Sequence, residues 1–94
     1  MHPILHLILL AYSMEGIKAK DVAFLVSKEG ATVFRCMAPQ QHNAQRALNI
    51  ARRVERQLGD EHAANVSVIA SQVVCDGVAQ TMHMVVVQYH SPVV

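Results

Sequence analysis

The stretch from Gln40 to Leu58 contains no glycine or proline and is made largely of good helix formers. Within it Ala44, Ala47, Leu48, Ala51, Val54 and Leu58 recur at steps of three and four. At about 100° per residue these positions fall on one side of a helical wheel. The pattern predicts one long amphipathic helix, entered after Pro39 and stopped near Gly59. The apolar side is mostly alanine, so the helix is expected to lie close to whatever it packs on. Enlarging Ala47 or Ala51 should then overpack the contact at a cost of about 1–3 kcal/mol.

The segments around this helix read as strands. Val22–Lys28 and Thr32–Ala38 are rich in β-branched and aromatic residues, and Glu29-Gly30-Ala31 lies between them. A short glycine-containing connection between two such runs signals a hairpin. After the helix, Val66–Val74 and a long run from about Ala79 to His90 flank Cys75-Asp76-Gly77, a second hairpin signal. The last run includes Met84-Val85-Val86-Val87 and is apolar on both faces, as an inner or interface strand would be. Residues 4–12 are apolar except at His6 and Tyr12, and periodicity does not separate strand from buried helix there. The shortness of the run favours a strand. It is too short for a membrane span, which takes about 20 residues. Met1-His2-Pro3 also lacks the basic residues of a secretory leader. The expected fold is therefore α+β: an antiparallel sheet of four to five strands, ordered β-β-β-α-β-β along a single 1–94 domain, with one long helix on one face.

The balance of residues matters next. Hydrophobic residues make up 52% of the 94 and charged residues 16%, against about 25% charged in average soluble domains. A small domain has much surface, and one helix covers only one face of a wide sheet. Apolar surface is expected to be left over for a partner, and self-association, as a homodimer, is the simplest way to hide it. That surface is assigned to the last strand. Depending on register, Val85, Val87 and Tyr89, or Met82, Met84 and Val86, lie on the uncovered side; Met84, Val85, Val87 and Tyr89 are the candidate association residues.

Arg46, Arg52, Arg53 and Arg56 lie opposite the alanines, interleaved with Gln45 and Asn49. A row of guanidinium groups can bind phosphates or an acidic protein surface. It also serves as the solvated face of an alanine-rich helix, with Glu55 as an ion-pair partner. A net charge of +1 gives no global attraction for nucleic acid or anionic membranes. His2, His6, His42, His62, His83 and His90 match no zinc spacing, so no metal is expected. Cys36 and Cys75 sit in apolar runs, as buried thiols of a reducing, cytoplasmic compartment do. His42 or His83 could serve either as a base, but no complete set of partners for a nucleophile can be named. The four glycines are scattered one per turn, so no phosphate loop exists. No enzyme activity and no cofactor are expected. The sequence reads as a small interaction module, an adaptor or inhibitor of a larger protein on the scale of many phage proteins. The alternative is a nucleic-acid-binding module that uses the arginine face.

Overall fold

The computed structural model describes residues 3–39, 43–58 and 64–90. The chain forms helix α1 (Pro3–Met14), a single 3-10 turn (Ala19–Asp21), strands β1 (Ala23–Glu29) and β2 (Ala31–Met37), helix α2 (Ala44–Leu58), and strands β3 (Ala64–Cys75) and β4 (Val78–Tyr89). The four strands make one antiparallel sheet in the order β1-β2-β4-β3. The two hairpins join through β2 and β4, so β4 is an inner strand. Among the described residues the sheet has four strands and not five, and the element order is α-β-β-α-β-β.

The first element corrects the expected N-terminal strand. Ile4, Leu5, Ile8, Ala11 and Tyr12 are buried, and their spacing is that of a helical stripe. Pro3 opens the helix, where its missing N–H is not needed. Gly16 closes it at φ 80. The Ile17 N–H donates to the Tyr12 carbonyl at 3.0 Å and the Gly16 N–H to the Ser13 carbonyl at 2.9 Å, which is a Schellman closure. Ile17 and Tyr12, its characteristic apolar pair, are both buried.

The second helix begins at Ala44. The Asn43 side-chain oxygen caps it, accepting from the N–H groups of Gln45 at 2.8 Å and Arg46 at 3.2 Å. The expected start at Gln40 and stop at Gly59 lie outside the described residues. Ala47, Ile50, Ala51, Val54 and Leu58 form the buried side. This helix packs over β3 and β4, and α1 lies beside it, with Tyr12 buried in the same core as Cys36 of β2. Two helices, not one, therefore cover the same face.

Cross-strand pairing sorts the sheet into two faces. Phe24, Cys36, Val85 and Val68 fall on one transverse line, and Val26, Phe34, Val87 and Val66 on the next. These lines lie on the helix side, where Phe34, Cys36, Val85 and Val87 are fully buried, while Phe24 and Val26 of the edge strand stay 49% and 38% exposed beyond the helices. Leu25, Arg35, Val86 and Ser67 form a line on the opposite face. The β3–β4 ladder then runs on past the end of β2. From Ala70↔His83 to Cys75↔Val78 it is a two-stranded ribbon. It turns through Asp76 (φ 51) and Gly77 (φ 78), the positive-φ pair that a two-residue hairpin requires. The ribbon contributes to a molecule of 47 × 28 × 21 Å.

Candidate interaction surfaces

The uncovered sheet face is built from alternate residues of all four strands. Leu25 is 63% exposed and Ile69 49% exposed. Met37, Met84 and Val86, also on this face, are partly exposed. Ala23, Phe24, Leu25, Arg35, Met37 and Met84 line a shallow depression of about 190 Å³. Arg35 is the single charged group among the described side chains of this face, and its Nη1 donates to the Ser27 Oγ at 3.0 Å.

Of the four association residues expected from sequence, only Met84 lies on this face. Val85 and Val87 are core residues of the protomer, fully buried beneath the helices. Tyr89 shares their side and packs partly buried against the same core. The register therefore selects the set containing Met84 and Val86 for the open face. Met82, of the same parity, is 1% exposed and outside the main core.

The four arginines do not form one row. Arg53 and Arg56, with Gln57, form one wall of a groove whose other wall is Leu7, Leu10, Ala11 and Met14 of α1. The groove holds about 130 Å³. Arg53 pairs with Glu15 at 3.5 Å across the helix interface, so its carboxylate partner is Glu15 and not Glu55. Its Nη1 also lies 3.9 Å from the Met14 sulfur. The Arg56 Nε donates to the Arg52 carbonyl at 3.5 Å. Arg46 stands at the far end of α2, lining a small cavity with Tyr12, Asn43 and His83. Sequence reasoning missed the α1 wall. Leu7, Leu10 and Met14 are spaced as one helical face, a signal that becomes visible only when residues 3–14 are taken as helix.

Compared with family models, with curated proteins and with solved structures, the chain matches none.

Cys36 is buried among apolar groups, and burial pushes its thiol up to about 12. It is a protonated core residue at neutral pH, not a nucleophile. Burial first, and the adjacent Cys36 second, also push the Tyr12 hydroxyl up. The His83 Nδ1 is buried without a hydrogen-bond partner. It adjoins the small cavity of about 10 Å³, room for about one water molecule. Among the described residues no three His, Cys, Asp or Glu side chains cluster as a metal site would need. His2, His42, His62 and the Cys75 side chain lie outside the described residues. No described helix is long and apolar enough to cross a membrane.

Proposed function

We propose that this chain is a small protein-interaction module that self-associates through the open face of its sheet and so presents its helical layer, as an adaptor or inhibitor, to a larger protein. One observation carries the reading: both helices lie on one face, which leaves Leu25, Ile69, Met37, Met84 and Val86 at the surface of the other. The size of the face supports a second copy as its occupant. Strands about 4.8 Å apart and seven residues long, with the ribbon added, give a projected area of roughly 600 Å². Side-chain relief brings this near the about 800 Å² that each partner contributes to a standard interface. Sedimentation velocity from low micromolar concentration upward tests the reading, with Leu25→Lys and Ile69→Lys as variants that stay folded and remain monomeric.

The second reading takes the helical layer as a phosphate-binding surface. Four arginines against Glu55 give the two helices +3, in a chain whose total is +1. Nucleic acid would then bind with an affinity that falls steeply with salt, and more weakly to Arg46→Glu, Arg52→Glu or Arg56→Glu. The Arg53–Glu15 pair and the apolar groove wall favour a protein partner over phosphate. Absence of any mobility shift at low salt removes the second reading.

A further inference from the structure

The sheet-face reading leaves the α1/α2 groove unused and takes up only one side of the ribbon, and the ribbon tip and the groove each have what the other lacks. Between Ala70 and His83 the ribbon carries one charged residue, Asp76, exposed at the apex of the turn. Val74 and Val78 flank the apex and are 72% and 58% exposed. They belong to opposite faces of the ribbon, because Val74 pairs with Ala79 and Val78 with Cys75. The tip is thus apolar on both sides with a carboxylate at its end. An isolated two-stranded ribbon is marginal in water, so surface that packs against it has a direct stabilising effect.

The groove is the converse. Leu10 and Met14 on its α1 wall are 54% and 60% exposed. Helix α1 contributes no charge at all, and Arg53 and Arg56 supply the opposite wall. Glu15 satisfies Arg53. Arg56 has no carboxylate partner among the described residues; it is held only by a backbone carbonyl of its own helix. A slot with one apolar wall, one wall of arginine stems and a guanidinium that no described carboxylate matches suits an object that is apolar on two sides and carries one acid.

The two features lie toward opposite ends of the molecule. His83, at the base of the ribbon, borders the same cavity as Asn43, Arg46 and Ala47 at the start of α2. The tip lies roughly 17 Å farther out, at about 3.3 Å per residue. The groove is formed by the other end of α2, roughly 15 Å in the opposite direction at about 1.5 Å per residue. A tip therefore cannot reach its own groove. We propose that the β3–β4 tip of one copy seats in the α1/α2 groove of another, with Val74 and Val78 against the groove walls and Asp76 paired with Arg56. The contact is head-to-tail, so it extends into a ring or a chain. It is small, below the area of a stable dimer, and therefore weak.

The test uses the full chain with Asp76→Asn, which keeps a residue tolerant of positive φ in the turn, and Arg56→Glu on the helix surface. Sedimentation velocity and backbone amide shifts are followed up to millimolar concentration. In the wild type, mass grows with concentration, and the amides of Val74, Asp76, Val78, Leu10, Met14 and Arg56 shift together. Each variant alone associates at least fivefold more weakly. An equal mixture recovers one tip-in-groove contact and stops at pairs, because the Asp76→Asn chain keeps an intact groove and the Arg56→Glu chain keeps an intact tip. Sheet-face association is read separately, at Leu25 and Ile69, and neither variant disturbs it. The proposal is overturned by a wild type whose tip and groove amides stay fixed over the whole range. It is overturned equally by variants that associate like the wild type, or by a mixture that behaves like its components.

Discussion

The direction in which a side chain points separates Val85 from Met84 more than their chemistry does. Val85 is sealed beneath the helices, while Met84 is partly exposed on the bare face. Val85→Lys should therefore unfold the protein, since an unpaired ammonium in that core has no partner. Leu25→Lys should leave the melting temperature within a few degrees of wild type, because Leu25 is already 63% exposed. Circular dichroism melts of the two variants check this contrast. Cys36 supplies a pH dependence. Its thiol is pushed from 9.0 to about 12 by burial, so above pH 9 the unfolded chain releases a proton that the native state retains. The native state then binds more protons than the unfolded one, and stability must fall as pH rises from about 9 toward 12. Tyr12 acts in the same direction. Urea unfolding at pH 7, 9 and 10 should show this decline, and Cys36→Ala should make it shallower at some cost in packing.

The elements differ in how plainly the sequence displays them. Helix α2 is legible because alanines and arginines occupy opposite sides, and both hairpins because Gly30 and Asp76-Gly77 punctuate β-rich runs. Helix α1 is not, because Leu7 and Leu9 flank its core stripe, partly buried against the core, and Leu10 fills the side that points away. The polar contrast that marks an amphipathic helix is erased, and an all-apolar run reads equally as a strand. The cause of that illegibility is also the cause of the groove: leucines and a methionine left facing outward. The sheet register was undetermined for a related reason, since β4 is apolar on both faces and either parity satisfies the pattern. Two element-scale costs follow. Asn43→Ala removes the cap of α2 and should cost about 1 kcal/mol. Gly16→Ala should cost about 1–2 kcal/mol through left-handed strain alone, because nothing lies within 4 Å of the added methyl. Denaturant melts of the two variants measure both.

At the scale of the whole molecule, the few charges are unevenly placed. The helical layer carries +3 and the rest of the chain −2, while the open sheet face shows Arg35 alone among its described side chains. The N-terminal segment is a second helix and not a strand, and it deepens the core on one side while leaving large apolar side chains such as Leu25 and Ile69 exposed on the other. The surface was legible in composition; the residues that make it up were not, because they depend on which parity of β4 faces the helices. Sedimentation velocity from low to high micromolar concentration decides whether a second copy covers that face. The wild type is expected to sediment as a dimer and the Leu25→Lys, Ile69→Lys double variant as a folded monomer. A wild type that sediments as a monomer throughout, with the same profile as the double variant, would contradict self-association through the open face.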